Sequence, residues 1–274
     1  MIYETFIPHE PLARFVDFLW FFSGTNPPGA KERNLPEGVL QLAVNLRDDR
    51  IRIWEPYQDR GARRFGHAVV IGPRAEYCVM DNAGERSMIG AQFKPGAAAA
   101  FLGVPAHEAE GLILDPADLH GAASADLRDE LLYAPTLAER FRILEKWLTA
   151  RIRPDLLPNA AVAHALAEFR RDPGSLSIGE ITERLNVAPK RFIEQFKREV
   201  GMTPKRFCRL MRFQRALLLI REPDHARLTW TDIAHACGYY DQAHFIKEFQ
   251  EFSGLTPTEY RLTGSMHPSH LPMF

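Results

Sequence analysis

Apolar residues follow two different rhythms along this chain of 274 residues. Over the first hundred, short apolar or alternating segments ("GVLQLAVNL", "IRIWEPY", "HAVVIGPRAEYCVM", "SMIGAQFKPG") are separated by Gly, Pro, Asn and Asp clusters such as "NPPG", "RDDR" and "DNAG". That pattern predicts strands and turns, and with them a small β barrel or sandwich. A helix is expected before them over residues 11–21 and another after them near residues 96–102. From residue 116 the spacing changes. "SADLRDELLYA" and "TLAERFRILEKWLTARI" repeat apolar residues every three or four positions, which predicts helices. Two prolines in "RIRPDLLPNA" mark a linker, and helices continue almost to the end. The tail "LTGSMHPSHLPMF" has no periodicity and is expected to fray. The fold class so read is α+β multidomain: residues 1–115 β-rich with flanking helices, 116–158 a helical connector, 159–262 all-α, and 263–274 a tail.

Within the helical part the chain writes one module twice. Phe192, Phe196, Gly201, Thr203, Pro204 and Phe207 map onto Phe245, Phe249, Gly254, Thr256, Pro257 and Tyr260 at a constant offset of 53. Upstream, Ile181, Leu185, Asn186 and Val187 map onto Ile233, Cys237, Gly238 and Tyr239 at an offset of 52, so the second copy has one extra residue at its turn. A turn tolerates such an insertion and a helix does not. Each copy reads as helix, tight turn, helix. Ser177 suits an N-cap, Asn186 and Gly238 suit a left-handed turn position, Pro189 a first helical turn, and Asp241 a cap. With the phenylalanines inward, the first copy turns Lys190, Arg191, Glu194, Lys197 and Arg198 outward. The second turns Gln242, Ala243, His244, Ile246 and Lys247 outward. The segment between them, "TPKRFCRLMRFQRALLLIRE", predicts a helix about 26 Å long, so two recognition helices over residues 189–200 and 241–252 could reach successive major grooves about 34 Å apart.

Charge sharpens this picture. The net charge is -1, yet residues 184–215 carry ten Lys+Arg against two Asp+Glu. That local excess is the electrostatic footprint of nucleic-acid binding; the bland alternative for the run from Lys205 to Arg215 is a solvated helix face. Three cysteines far apart argue against a disulfide framework or a paired-cysteine metal site. The chain has no run of 18 apolar residues and no leader pattern at its start, so no membrane partner and a cytoplasmic location are expected.

Residues 175–261 resemble the DNA-binding domain of the AraC/XylS family of bacterial transcription regulators. "GYYDQAHFIKEFQEFSGLTPTEYR" fits that family's C-terminal signature almost residue for residue, and the resemblance covers about a third of the chain. It implies a monomeric seven-helix unit with two helix-turn-helix modules on one long connecting helix. It also implies base contacts from Lys190, Glu194, Asp241, Gln242, His244 and Lys247. Glu194 departs from the family, being acidic where Arg or Gln often reaches DNA; it accepts from cytosine but repels phosphate. Arg191, Lys197, Arg198, Lys205, Arg206 and Arg209 are the expected phosphate contacts. The N-terminal half, through "LPEGVLQLAVNL", "IGPR" and "GAQFKPGAAAAFLGVPAHE", is similar to an uncharacterised sensor-like domain found before this module in part of the family.

The implied partners are double-stranded promoter DNA and RNA polymerase, with a small-molecule effector and a homodimer left open. Trp20, Trp54, Tyr57, Tyr77 and Phe93 are candidates for an effector pocket, against the plainer reading of strand aromatics as core. No cofactor, metal site or catalytic residue is expected: His9, His67, His107 and His120 lack ligand spacing, and no nucleophile-elbow, zincin or phosphate-loop motif is present. Two other readings remain, a cupin-like enzyme domain fused to a DNA-binding module and an N-terminal half that only dimerises, through residues 125–152.

Overall fold

A strand covered on both faces and a buried helix read alike as a continuous apolar run. The run from Phe18 to Phe22 is such a case and corrects the helix expected over residues 11–21. We describe a computed structural model of the chain covering all residues except 49, 56–60, 122, 174–176, 223–227, 264–266 and 274. In it Leu12–Arg14 make one 3-10 turn and Val16–Asn26 form a long strand, as aromatic and β-branched residues favour on a pleated surface.

The strands are, in chain order, β1 (Ile2–Phe6), β2 (Val16–Asn26), β3 (Lys31–Asn34), β4 (Gln41–Asn45), β5 (Ile51–Trp54), β6 (Arg63–Phe65), β7 (Ala68–Ile71), β8 (Cys78–Asp81), β9 (Gly84–Phe93) and β10 (Ile113–Leu114). One antiparallel sheet has the order β1-β2-β9-β4-β7-β10, and the second contains β3-β8-β5-β6. Neither closes on itself among the described residues, so the β-rich part is a two-sheet sandwich and not a closed barrel. The period of two along a strand sorts the side chains of the first sheet. Leu19, Phe21, Leu42, Val44, Ile89 and Phe93 point to one face, while Ala43, Val69 and Ile71 face Ile51, Ile53 and Cys78 of the second sheet.

Helices cover the outer face. Helix α1 (Ala98–Leu102) is followed by α2 (Pro116–His120), α3 (Ala123–Tyr133) and α4 (Leu137–Thr149). Their apolar stripe, with Phe101, Leu127, Leu131, Phe141, Leu144 and Leu148, is buried in the same core as the first sheet. The helices expected as a connector are therefore a lid on the sandwich, and the apolar face that a dimer interface over residues 125–152 would use is turned inward.

The second half is helical: α5 (Ala160–Arg171), α6 (Ile178–Arg184), α7 (Pro189–Val200), α8 (Pro204–Arg221), α9 (Trp230–Ala236), α10 (Gln242–Ser253) and α11 (Pro257–Leu262). Helix α8 is the common support. Phe207 at its start meets Phe196 of α7 edge to face, and Phe213 at its middle lies 5.1 and 5.2 Å from Phe249 and Phe252 of α10.

The described end of the tail does not fray. His270–Met273 form β11, antiparallel to β3, which extends the second sheet to β11-β3-β8-β5-β6. Pro272 is tolerated because β11 is an edge strand. His270 Nδ1 lies 2.8 Å from Glu32 Oε1. Burial alone would lower its pKa, but the charge and hydrogen bond of Glu32, with Glu37 behind it, outweigh burial and Arg74 and raise it. His267 is pushed down to about 3, first by burial and then by His270 and Arg221. A raised histidine contributes stability that is fully present below its unfolded value of 6.5 and is lost as pH climbs through the folded value. A depressed one contributes stability present above 6.5 and lost as pH falls towards 3. Tail docking is thus expected to be strongest near pH 6.5 and weaker on both sides. Amide exchange of residues 270–273 across pH, corrected for intrinsic rates, checks this; protection that changes in one direction only would contradict it.

Candidate nucleic-acid interface

The two modules share their turn geometry bond for bond. In the first, the Asn186 amide donates to the Glu183 carbonyl and the Val187 amide to Thr182, both at 3.0 Å. In the second, Gly238 donates to His235 at 3.0 Å and Tyr239 to Ala234 at 2.9 Å. Asn186 and Gly238 carry the positive φ this requires, 50° and 76°, as their residue types suggested. Ser177 caps α6 in a reciprocal capping box with Glu180, and Thr229 does the same for α9 with Asp232. Those hydrogen bonds hold both carboxyls below the usual range.

The break in register falls on Tyr240. Ala188 and Asp241 are both N-caps of the following helix, so the inserted residue sits just before α10, where it is 87% exposed. Only the change of offset from 52 to 53 announced it in the sequence.

Each recognition helix buries its phenylalanines and exposes the other side. Phe192 and Phe196 of α7 are buried, whereas Lys190, Arg191, Glu194, Lys197 and Arg198 are all exposed. On α10 Phe245 and Phe249 are buried, and Asp241, Gln242 and Lys247 are exposed. Asp241 accepts the His244 amide at 2.7 Å as the helix cap, and Gln242 Oε1 accepts from the Thr231 hydroxyl at 2.9 Å. The first helix is strongly basic. The second carries amide, imidazole and one ammonium, groups that suit base edges more than phosphates.

The remaining expected residues are placed differently. Lys205 is exposed. Arg206 is ion-paired with Glu76 and Glu110 of the N-terminal domain. Arg209 donates to Glu248 at 2.6 Å and to Glu251 at 2.7 Å. In this arrangement neither arginine presents a free guanidinium to a phosphate, since carboxylates of partner elements hold both. Glu248, which the sequence reading passed over, is the centre of that cluster. It is buried on α10, and Arg212 at 3.6 Å and His244 Nε2 at 3.3 Å also face it. The signal available was an acid four residues after His244, the spacing that brings side chains together on a helix.

One loop of the N-terminal domain, residues 72–77, touches both modules. Gly201 and Gly254, the equivalent left-handed C-caps of α7 and α10, have no room for a side chain: a Cβ would lie 2.9 Å from Pro73 at the first and 2.7 Å from Tyr77 at the second. Arg33 stacks on Tyr77 and donates to the Ser253 carbonyl at 2.9 Å, and Gln214 donates to the Pro36 carbonyl at 2.6 Å.

Of the expected pocket aromatics Trp20 borders a cavity between the two sheets, which the described residues Trp54, Tyr77 and Phe93 do not line. Phe93 is core, packed on Phe101 at 5.1 Å. Tyr77 is in the domain interface, and Trp54 lies under the Lys31 ammonium at 4.3 Å. Tyr57 lies outside the described residues. No group of three or more His, Cys, Asp or Glu that could hold a metal ion occurs among the described residues, and no described helix is long and apolar enough to cross a membrane.

Comparison with known proteins gives matches to both halves. Residues 181–263 match a helix-turn-helix domain family, and residues 4–115 match a domain of unknown function. An uncharacterized HTH-type transcriptional regulator of Haemophilus influenzae is 26% identical over 167 residues, 59% of this chain and 54% of that protein. The HTH-type transcriptional activator RhaS of Escherichia coli is 30% identical over 81 residues, 30% of this chain and 28% of that protein. The chain thus spans about half, or less, of the length of these relatives. Among solved structures, apo ToxT from Vibrio cholerae aligns over 89% of this chain and 96% of its own, at 10% identity and a TM-score of 0.49.

Proposed function

We propose, from the premise that residues 181–263 are a helix-turn-helix domain of the AraC type behind a separate β-rich domain, that this chain is a sequence-specific DNA-binding transcription regulator. It inserts α7 and α10 into successive major grooves, and α8, about 27 Å long by its 18 residues, sets their separation. The observation that carries this reading is the pair of equivalent modules exposing their recognition faces, one basic and one rich in base-reading groups. Lys190, Arg191, Lys197, Arg198 and Lys205 supply the phosphate attraction, and the exposed Tyr240 in front of α10 offers a neutral hydroxyl donor. Lys190, Glu194, Gln242, His244 and Lys247 read bases; Asp241 acts chiefly as the cap that aims them. The N-terminal domain senses a small molecule or mediates association, RNA polymerase is the downstream partner, and a second copy of the chain is a candidate associate. The protein works in the cytoplasm and has no enzymatic role.

The test is a genome-fragment selection with purified full-length protein at fixed salt, repeated with residues 159–274. Retained fragments are expected to share two submotifs about one helical turn apart; a folded protein that enriches nothing in either form would overturn the proposal. On a selected site, Gln242→Ala and Lys190→Ala are each expected to weaken binding by about 1–3 kcal/mol and to relax preference at one position. Fluorescence anisotropy on matched and mismatched duplexes measures both effects.

A further inference from the structure

The cavity between the sheets measures about 250 Å³. Phe18, Trp20 and Phe22 of β2 line one side and Met80 of β8 the other. Gly90, the cross-strand partner of Trp20, makes room for the indole, because a Cβ there would fall 2.4 Å from the ring. One wall is therefore a broad aromatic surface.

Polar groups in the wall are of two kinds. The charges are matched to one another: Glu32 with His270 at 2.8 Å, and Arg86 with Asp81 at 3.5 Å and Asp48 at 3.1 Å. Several neutral or hydrogen-bonding atoms are not matched. Asn45 is fully buried, and its Oδ1 accepts the backbone amides of Arg47 and Asp48. Those two bonds fix the amide orientation and leave Nδ2 without a partner among the described residues. Asn26 Nδ2, Arg86 Nε and Asn34 Oδ1 are buried and unpartnered in the same wall. Buried polar atoms without partners are a standing free-energy cost, and four such atoms belong to residues that line this one cavity.

The rest of the wall comes from the far end of the chain. Alternation along β11 turns His270 and Pro272 into the cavity, while Leu271 between them is buried in the core of the helical domain. The Tyr260 hydroxyl of α11 donates to the Pro268 carbonyl at 2.9 Å, and the Leu35 amide donates to Ser269 at 2.8 Å. One face of this strand thus belongs to the cavity and the other to the core shared by α8, α10 and α11.

We infer that the cavity is an effector site shared by the two domains, that it takes an uncharged small molecule with several hydroxyl or amide groups and one apolar face, and that β11 transmits its occupancy to the second helix-turn-helix module. Balanced wall charges leave no countercharge for an ion. Three unpartnered donors and one acceptor call for groups that mainly accept and also donate, and the aromatic wall takes the apolar face. A ligand that touches His270 and Pro272 binds more tightly when the tail is docked, and only such a difference moves an equilibrium. The inference rests on the reading of this chain as a DNA-binding regulator.

The experiment uses full-length protein and, as probes at millimolar concentration, a set of uncharged monosaccharides, polyols and small amides, with carboxylates of matched size as a counter-set. Melting temperature, amide exchange of residues 270–273 and affinity for a selected DNA site are read on the same sample. At least one uncharged probe is expected to raise the melting temperature, to slow exchange in residues 270–273 severalfold and to change DNA affinity. A chain ending at Thr263 is expected to bind that probe severalfold more weakly, and Asn45→Ala to lose the response. A response to carboxylates alone overturns the ligand class. A retained response in folded Asn45→Ala overturns the placement, and a melting shift with no change in residues 270–273 overturns the coupling. The exchange measurement needs no variant, so the coupling is decided even where the shortened chain does not fold. If no probe acts while DNA is still bound specifically, the site is overturned and the regulator reading stands; if the folded protein binds no DNA specifically with or without probes, the regulator reading fails.

Discussion

Phe213→Ala is expected to destabilise the protein by about 3–5 kcal/mol and to uncouple the second module from the first. Phe213 is fully buried at the middle of α8 and is the ring on which Phe249 and Phe252 of α10 both pack. Its removal opens a cavity between the connecting helix and the recognition helix, and the surrounding helices relax only partly. Denaturant unfolding measures the loss of stability. The loss of function is distinct: at temperatures where the variant stays folded, fragment selection is expected to retain the submotif read by α7 and to lose the one read by α10. Equal loss of both submotifs would mean that α8 does not anchor the modules separately. Phe213→Leu, which restores most of the volume, is expected to recover most of both.

Removing the Glu248 carboxylate should have the other large effect. Glu248→Leu leaves Arg209 and Arg212 facing each other around an apolar side chain, and breaking a buried ion pair from one side costs about 3–5 kcal/mol. The partial exposure of the two arginines, 27% and 19%, puts the expected loss near the lower end. The sign for DNA is opposite. Loss of one carboxylate beside α10, which frees Arg212 while Arg209 keeps Glu251 at 2.7 Å, is expected to strengthen binding to random duplex and to steepen its salt dependence. Denaturant unfolding and salt titrations on a random duplex test the two halves; a variant of unchanged stability would show that Glu248 is dispensable to the cluster. His244 would also lose its neighbour at 3.3 Å, so altered base preference at its position is part of the same outcome.

These residues show what a single sequence discloses. The repeat was legible because Phe192, Gly201, Thr203 and Pro204 each perform a local task, packing, turning or capping, that only a few residue types perform, and the second copy needs the same tasks at the same intervals. The outward faces of α7 and α10 followed at once from the phenylalanine register, except at Ile246, which packs partly buried against the helical core. Strand β2 was hidden because Leu19 and Phe21 face the helices while Phe18 and Trp20 face the cavity, and two covered faces erase the alternation. The cavity was hidden because Asn26, Asn34, Asn45 and Arg86 come from separate strands and only strand pairing gathers them. Strand β11 was hidden because four residues, one of them proline, carry too little pattern of their own; its partner is β3, more than two hundred residues earlier in the chain. Arg206 and Arg209 read as phosphate ligands because a run of cations on a helix looks the same whether water, DNA or carboxylates lie opposite.

The loop that touches Gly201 and Gly254 has a consequence for descent. Duplication of a module leaves two identical handles, and here a single short loop holds both, with Pro73 against one and Tyr77 against the other. The two copies are therefore not free to diverge at those positions as independent duplicates are. Each glycine also holds a left-handed φ, 96° and 67°, that strains any side chain, so a smaller residue in the loop opposite does not by itself admit one, and the handles stay alike where the faces of α7 and α10 differ in charge.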